Sequence, residues 1–550
     1  AARRKVMAMD DADVLRTRDM LSESPKRELD AMVGALSGRP VRPAPGGDPV
    51  LNPEVLPTGR NMYSINAEAT PGPKAWEDGA RLADRTLEDY VAAHGGYPRK
   101  VSYTLWAGEF ISTKGATIAQ ALRMLGVEPV RDGQGRVIDL KLTPSSQLGR
   151  PRVDVMVQVS GQLRDIAASR LLLITEAVRL AASAKDDLYP NYVAEGTLGQ
   201  EKAMVEAGTS PKDARRLSVM RVFGPVNSGY STGMLSYTEN SGSWDDRAEL
   251  AEGYVNNMCA LYGDTLSWGS VSPEAMRAAV PGTAVIVQPR QSNTWGPISL
   301  DHVYEFAGGL SMLTSSIDGS EPELLMADYR NPSMPRMQQG DRAVAVETRA
   351  TLLNPAFIRE RMKGDATTAQ MFGEIARNIF GWNVMRPSVL PPDIYDEMFD
   401  VYVRDIHGLG VAEYFDRVNP AALQEMTATM LESARKGFWH PTSEQLSETA
   451  ALHARVTADH GAPCTEFVCA NTKLQRYIAG NLPDAEARGY ERDIAAAVSA
   501  GDGAMTLAKE RDERSETRFS PLTAAIAIAV AGLLCAILVI ARRRRESRTR

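Results

Sequence analysis

The chain has 550 residues, of which 43% are hydrophobic and 24% are charged, and its formal net charge is -7 at pH 7. A single hydrophobic core stops growing at about 250–300 residues, so a chain of this length is expected to form more than one domain. The small negative charge excludes a protein that binds nucleic acid over its whole surface.

Residues 1–50 are predicted to form a helical piece followed by a linker. Residues 1–37 are polar and helix-prone, and the next stretch, "GRPVRPAPGGDPVLNPEVLP", is rich in Pro and Gly, which is typical of a domain boundary. The chain opens "AARRKVMAMDD" without an initiator methionine. We therefore expect it to be the later part of a longer polypeptide, whose upstream half would be its partner.

Residues 51–183 are predicted to form an α/β domain. Apolar residues follow the period of strands at 100–106 and 153–160, and the period of helices at 115–125 and 168–183. Strands and helices in alternation indicate a parallel sheet with helices on its faces.

Residues 184–350 are predicted to form a second α/β region, which would hold the functional site. It contains helical patterns at 244–263 and 273–280 and a strand, "AVIVQ", at 284–288. The Gly-rich stretch "FGPVNSGYSTG" matches neither phosphate-binding fingerprint, so no ATP site is expected in this chain.

The end of the chain is predicted to be helical and then membrane-bound. Residues 351–498 have helical periodicity and form a helical domain, and residues 499–518 are a polar tether. A single transmembrane helix is predicted at residues 519–541, where the 20-residue uncharged run "LTAAIAIAVAGLLCAILVIA" (522–541) is long enough to cross about 30 Å of hydrocarbon. Residues 542–550 begin "RRRR", which predicts a cytoplasmic tail and places the bulk of the chain in the periplasm.

Two of the four cysteines form a close pair in sequence. Outside the cytoplasm, the spacing of Cys464 and Cys469 favours a disulfide. A zinc site is the alternative, although only His453 and His460 lie nearby in sequence. Cys259 is predicted to be a small buried residue.

The stretch "VIVQPRQSNTWGPISLDHVYEFAGG" (285–309) leads from a strand through a polar loop into a helix. Ligands of parallel sheets bind beyond the carboxyl ends of strands, so Arg290, Gln291 and Asn293 are expected to project toward a cleft. A second loop, "LPTGRNMYSIN", offers Arg60, which suits carboxylates but fits a structural turn equally well.

The helix of this stretch is expected to begin near Ser299, with that side chain as its cap. At helical spacing, Asp301, His302 and Glu305 share one face, and Tyr304 lies beside them. Such a face can bind a divalent metal or accept protons, and a capped helix with solvated charges is the alternative.

Several motifs appear in one order: "LPTGRNMYSIN", "GATIAQALRMLGVEPV", "DHVYEFAGGL", "NPAALQEM" and "HGAPCTEFVCANTKL". Across roughly residues 50–480 they resemble the C-terminal half of the cobaltochelatase large subunit (CobN type), related to the large subunit of magnesium chelatase. The resemblance implies a multi-domain α/β chelatase that binds a tetrapyrrole. It assigns catalytic or supporting roles to Asp301, His302, Tyr304 and Glu305, with His302 and Glu305 as metal ligands. Macrocycle-orienting roles fall on Arg290, Gln291, Asn293 and Arg60.

The predicted membrane span departs from the soluble cobaltochelatase pattern. With this span and the sequence around the site, "QPRQSNTWG" and "LDHVYEFAGG", the chain resembles a membrane-attached branch associated with haem uptake (HmuS type). That resemblance implies removal of iron from haem with the porphyrin left intact. Haem-uptake proteins would then be partners. One alternative is a subunit that inserts cobalt into a corrin precursor in cobalamin biosynthesis together with ATPase subunits. Another is a non-catalytic haem-binding or relay protein.

Overall fold

The computed structural model describes residues 11–46, 55–63, 65–185, 188–462 and 470–502. In chain order the strands of these residues are β1 (Pro43–Pro45), β2 (Asn61–Tyr63), β3 (Lys100–Leu105), β4 (Val127–Arg131), β5 (Val137–Leu142), β6 (Asp154–Val159), β7 (Val222–Gly224), β8 (Ala260–Leu261), β9 (Thr283–Arg290), β10 (Glu323–Asp328) and β11 (Arg336–Gln339).

The helices of the first part of the chain surround these strands. They are Asp11–Leu36, Pro73–His94, Ala107–Thr113, Ala116–Leu125, Ser145–Leu148, Gly161–Ile166, Ala168–Ala182, Tyr192–Glu206, Pro211–Leu217, Met234–Glu239, Arg247–Met258, Pro273–Ala279, Asp301–Val303, Gly309–Asp318 and Gly340–Ala350. Short 3-10 turns lie at Ala67–Ala69, Val226–Ser228 and Ser241–Ser243, and a π-helical turn lies at Tyr304–Gly308.

From Pro355 onward the described chain is helical, as predicted. Its helices are Pro355–Arg361, Ala366–Met385, Ile394–Tyr402, Val411–Val418, Pro420–Arg435, Ser443–His460, Thr472–Ala479 and Asp484–Asp502, with a 3-10 turn at Pro387–Val389. Asn419 caps the helix Pro420–Arg435, and Thr442 forms a capping box with Gln445 at the start of Ser443–His460.

Seven strands form one sheet, in the order β11-β10-β9-β3-β6-β7-β8. The five central strands are parallel, as the sequence predicts. The edge strands β8 and β11 pair antiparallel, so the sheet is mixed and not purely parallel. These edges are only two and four residues long, too short to show a strand period. The antiparallel hairpin β4-β5 is likewise absent from the prediction.

The path of the chain produces a topological switch point in the sheet. It enters the sheet at the central strand β3, adds β6 and β7 on one side, and returns to add β9 and β10 on the other side. The direction of winding therefore reverses between β3 and β9, and ligands of such sheets bind at this switch point. Strands from both predicted α/β ranges, 51–183 and 184–350, join in this one sheet.

Apolar side chains cover both faces of the sheet. Alternate residues such as Val101, Val155 and Val285 pack under helices of the first half of the chain, in one buried cluster. Their neighbours Met156 and Ile286 pack on the opposite face with the helices that follow β9. Every residue of β3 is buried, which is typical of parallel strands covered on both sides.

A buried group of charges ties the amino ends of the strands together. The Arg221 guanidinium forms two hydrogen bonds with the Asp154 carboxylate, at 2.9 and 3.2 Å, and a third with Gln200 Oε1 at 2.9 Å. Lys100 lies 3.8 Å from Asp154, and burial lowers the pKa of Lys100 to about 8. This cluster lies at the edge of the sheet opposite the carboxyl edge, and its role is to stabilise the fold.

Several predictions concern residues that are not described. Cys464, Cys469, the span at 519–541 and the tail at 542–550 lie outside the described ranges, as does most of the tether, so these remain predictions. Among the described residues, no helix combines the length and apolar composition needed to cross a bilayer. Cys259 is a buried free thiol, as predicted.

Candidate functional site

The segments that follow β3 and β9 contact each other at the switch point. A Cβ atom placed on Gly108 would lie 2.9 Å from Gln291 Nε2 and 3.2 Å from Trp295 Cζ3. The Trp295 side chain is nevertheless about half exposed, at 47% for the residue. An exposed indole at this edge of the sheet offers a flat apolar surface for a ligand.

The helix of the site begins two residues later than predicted, at Asp301. The Ser299 hydroxyl does not cap it, because it accepts a hydrogen bond from the Gly296 N–H at 2.9 Å and donates to the Thr294 carbonyl within the loop. The turn Tyr304–Gly308 is π-helical, and the Gly309 N–H donates to the carbonyls of Tyr304 and Phe306. Wide turns of this kind are frequent at functional sites.

Three ionisable side chains meet on this turn, as the sequence predicts. His302 Nδ1 lies 2.7 Å from Glu305 Oε2 and 3.5 Å from Asp301 Oδ1. Ligand atoms from all three residues fall within 4.8 Å of one another, which is close enough to hold one metal ion. The Glu305 carboxylate is fully buried, whereas 44% of the His302 side chain is exposed. The pair therefore has a buried carboxylate behind an accessible imidazole.

The segment after β7 holds the other oxygen of Glu305. The Leu235 N–H donates to Glu305 Oε1 at 2.7 Å, and the Thr232 hydroxyl donates to the same atom at 3.2 Å. The sequence analysis missed both residues, since their contribution depends on where the Gly-rich stretch 223–233 folds. Because these two donors bind Oε1 of Glu305, its other oxygen, Oε2, is the one that contacts the His302 imidazole.

The imidazole of His302 is arranged for metal and proton chemistry. Its hydrogen bond with Glu305 raises the pKa of His302 above the ordinary value of 6.5, against the lowering effect of burial. A histidine that ligates a metal usually donates its other ring N–H to a carboxylate, which fixes the tautomer. Here Nδ1 is engaged with Glu305, so Nε2 is the atom that would exchange a proton or bind a metal.

This pair predicts that stability and metal affinity depend on pH. Because the folded pKa of His302 is raised above 6.5, the stabilisation by the protonated pair is complete below about pH 6.5 and is lost as pH rises through the folded pKa. A proton competes with metal for the imidazole, so affinity for Co²⁺ is expected to rise about tenfold per pH unit below that pKa. Urea unfolding and Co²⁺ titrations at a series of pH values, on wild type and His302→Gln, measure how the free energy of unfolding and the Co²⁺ affinity change with pH. If both pH dependences were the same in His302→Gln as in wild type, His302 would not be the titrating group.

Tyr304 is a packing residue in the structure. It is fully buried, and a Cβ atom on Gly381 of the helix Ala366–Met385 would lie 2.5 Å from its ring. The pair Gly308 and Gly309, predicted to permit close approach, serves helix packing too: a Cβ atom there would meet Met385 at 2.8 Å or the ring of Tyr254 at 2.6 Å.

Gly381→Ala is therefore expected to destabilise the fold by about 1–3 kcal/mol, because the added methyl group overpacks the Tyr304 ring. Since Tyr304 precedes Glu305, weaker Co²⁺ binding is expected to accompany the loss. Thermal or urea unfolding measures the effect. Gly199→Ala is the matched control, because nothing lies within 4 Å of a Cβ atom there and alanine favours a helix. Equal stability of the two variants would contradict the packing argument.

Arg290 is not a cation that projects into the cleft, which corrects the prediction. Its Nη2 lies 2.5 Å from Glu347 Oε2, and both side chains are less than a tenth exposed. A buried guanidinium needs such a carboxylate, because an unpaired buried charge is costly. Gln291 is also buried, at 7% exposure.

Asn293 is exposed, and it belongs to a polar group that the sequence analysis missed. Its Oδ1 accepts a hydrogen bond from Arg330 Nη1 at 2.8 Å. Arg330 in turn makes a bidentate pair with Asp328, the last residue of β10. The position of Arg330 just after a parallel strand was the signal available in the sequence, because carboxyl ends of parallel strands share one edge.

The structure does not bring Arg60 to this group, contrary to the prediction. Arg60 donates to the carbonyls of Pro57 and Leu56 at 3.0 and 3.3 Å. It lines a cavity of about 930 Å³ with residues such as Met32 and Met62, and Asp301, His302 and Glu305 are not part of its lining. The bonds of Arg60 to its own loop fit the structural turn that was the alternative, and its role toward a macrocycle stays a prediction.

Known proteins resemble this chain over most of its length. Residues 4–446 match the model of the CobN/Magnesium Chelatase family. The aerobic cobaltochelatase subunit CobN of Sinorhizobium sp is 28% identical over 430 residues, which is 78% of this chain and 33% of the relative. The H-type subunit of the magnesium chelatase of Rhodobacter capsulatus is 31% identical over 459 residues, 82% of this chain and 36% of the relative.

A solved structure agrees with the sequence relatives. The catalytic subunit of cobaltochelatase from Mycobacterium tuberculosis matches with a TM-score of 0.74 and 29% identity, covering 84% of this chain and 38% of that one. The chain thus spans about a third of the length of the relatives it matches. The order of its motifs, the extent of the match and the shared fold agree, and the chain belongs to the CobN/magnesium chelatase family.

Proposed function

We propose that this chain is the macrocycle-binding, catalytic part of a tetrapyrrole metal chelatase in which Asp301, His302 and Glu305 transfer the metal and the pyrrole protons. The observation that carries the proposal is the accessible His302 imidazole held 2.7 Å from the buried Glu305 carboxylate at the switch point of the sheet. The relatives are named as cobalt and magnesium chelatases, which supports the same class of reaction. Because the chain spans about a third of the length of these relatives, residues outside it would complete the cleft.

The geometry lets Nε2 of His302 both donate a proton to the macrocycle and bind the metal. Protonated His302 carries a proton on Nε2, which it can give to a pyrrole nitrogen as a metal–nitrogen bond breaks. The imidazole then keeps its Nδ1 proton toward Glu305, and the lone pair of Nε2 is free to take the metal. Asp301, whose carboxylate belongs to the same cluster of ligand atoms, would be the second ligand. Insertion is the reverse sequence, with Nε2 accepting the pyrrole proton.

For the direction of transfer we propose removal of iron from haem. Release of Fe²⁺ from the porphyrin breaks its bonds to the ring nitrogens and leaves two N–H groups, so two protons have to be delivered. Nε2 of His302 would give the first, and the second would come from solvent through the same nitrogen, which is accessible and can be protonated again before it takes the metal. The hydrogen bond with Glu305 raises the pKa of His302 and so increases the fraction of the proton donor relative to an ordinary histidine, which supports removal. Ferric haem would first need one electron from an external reductant. Trp295 offers a flat surface for the macrocycle.

The proposed setting of this reaction is the periplasmic side of a membrane. Residues 519–541 would anchor the chain and residues 542–550 would stay in the cytoplasm. This setting has no access to cytoplasmic ATP, and the sequence lacks a phosphate-binding fingerprint. Haem-uptake proteins would be the partners there.

Cobalt insertion into a corrin precursor is the second candidate. The names of the Sinorhizobium and Mycobacterium tuberculosis relatives favour it. In that case ATPase subunits would be the partners, and His302 would act as the base that takes pyrrole protons.

The test uses the full chain in detergent, produced with the polypeptide encoded upstream of it. Under anaerobic conditions it is mixed with haem and dithionite, and porphyrin fluorescence is followed. Growth of the fluorescence of metal-free porphyrin supports removal. Cobalt incorporation only with ATP and ATPase subunits supports the second candidate. A shifted haem spectrum without either product would overturn both and indicate a haem-binding or relay protein.

A further inference from the structure

A buried polar network joins the wide turn of the site to the sheet. At the carboxyl end of β6, Gln158 Nε2 donates to the Phe306 carbonyl at 3.1 Å and to Thr104 Oγ1 at 2.8 Å. The Tyr254 hydroxyl donates to Gln158 Oε1. Each of these four residues is at most 1% exposed. The amide of Gln158 thus uses both its donor and its acceptor atoms beneath the site.

The Phe306 carbonyl is central to the shape of the turn. In an α-helix, the Gly309 N–H would donate to the carbonyl of Glu305, four residues earlier. Here it donates to the carbonyls of Tyr304 and Phe306, and the Glu305 carbonyl is bypassed. Gln158 therefore bonds to a carbonyl inside the irregular turn, one residue from Glu305. A return to regular helix would change the backbone positions within the turn, and Glu305 lies inside the turn whereas His302 lies before it.

We propose that Gln158 is a positioning residue for metal transfer: through the Phe306 carbonyl it maintains the wide turn, and so keeps the Glu305 carboxylate in hydrogen-bonding contact with His302. The inference rests on the proposed function of Asp301, His302 and Glu305. It adds a residue from a distant strand that touches neither metal nor macrocycle. A glutamine that is merely a satisfied core group would affect stability and leave metal affinity unchanged.

The test compares two buried glutamines in the full chain. Gln158→Met keeps the approximate size of the side chain and removes every hydrogen bond of the amide. Gln120→Met is the matched control, because Gln120 is also fully buried and donates to the Tyr329 hydroxyl at 2.7 Å, under the other face of the sheet. Both changes are expected to lower the unfolding midpoint. Only Gln158→Met is expected to weaken Co²⁺ binding, by about 10- to 100-fold, as loss of an orienting partner does at metal sites.

Calorimetric titration with Co²⁺ and optical titration with protoporphyrin IX give the two affinities. We expect Gln158→Met to bind the porphyrin within about twofold of wild type. Unchanged Co²⁺ affinity in folded Gln158→Met, or an equal loss in Gln120→Met, would overturn the inference and leave the proposed function intact. Absence of Co²⁺ binding by the wild-type protein would overturn the metal cluster itself, and the positioning role with it.

Tyr254→Phe keeps the inference testable if Gln158→Met does not fold. It removes the hydroxyl that orients the amide but leaves the donation to Phe306 possible. Loss of one buried hydrogen bond is expected to weaken Co²⁺ binding by roughly threefold or more. A folded Tyr254→Phe with the Co²⁺ affinity of wild type would then count against the role of Gln158.

Discussion

Replacing His302 with alanine is expected to lower the rate of metal transfer by about 10²- to 10⁴-fold, the range over which a positioned acid or base contributes to catalysis. The imidazole is the accessible member of the pair, and its Nε2 is the atom proposed to exchange a proton for the metal. Macrocycle binding is expected to stay close to that of wild type, because 44% of the side chain faces solvent and water can take the place of the imidazole beside the Glu305 carboxylate. Stopped-flow fluorescence of the released porphyrin and an equilibrium titration with protoporphyrin IX separate the two quantities.

Glu305→Gln is a milder change to the same pair than His302→Ala. The amide keeps the shape of the side chain and the contacts from Thr232 and Leu235 in part, but it removes the negative charge that raises the pKa of His302. A loss of about 10- to 100-fold in Co²⁺ affinity is expected, as for other carboxylate partners of ligating histidines. His407→Ala, a change at a histidine outside the cluster, is the control. Transfer rates that match wild type in both cluster variants would refute the site.

Asp154→Ala is expected to give the largest loss of stability, about 3–5 kcal/mol, because it leaves the Arg221 guanidinium buried without its carboxylate. The two side chains are at most 1% exposed, and they join the start of β6 to the residue before β7. Urea unfolding at neutral pH, followed by circular dichroism, measures the change. Since this pair lies at the amino ends of the strands, the folded fraction of the variant is expected to keep its Co²⁺ affinity.

An exposed ion pair provides the control for this prediction. Lys202 and Glu206 lie 3.8 Å apart with side chains 77% and 66% exposed. Water screens such a pair, so Glu206→Ala is expected to cost less than about 1 kcal/mol. A loss of that small size for Asp154→Ala would show that the buried pair is not needed for the sheet.

Local spacing was sufficient to predict that Asp301, His302 and Glu305 lie close together. Asp301, His302 and Glu305 lie three or four residues apart on one helix, and that relationship holds wherever the helix packs. Long-range partners account for the failures. Arg290 pairs with Glu347, 57 residues later, and Arg60 bonds to its own loop beside another cavity. No local pattern indicates whether a cation will meet a carboxylate from a distant helix or a ligand.

The sequence by itself determined the alternation of strands and helices, the parallel centre of the sheet, the helical region after Pro355 and the face that carries His302, because each follows from the period of neighbouring residues. Only the tertiary structure decided the order of the strands, the switch point between β3 and β9, and the wide turn at Tyr304–Gly308. The turn depends on contacts with Gln158 and Gly381, which are remote in sequence. Burial of Glu305 likewise depends on groups from the segment after β7, since a buried carboxylate needs hydrogen-bond donors that its own helix cannot supply.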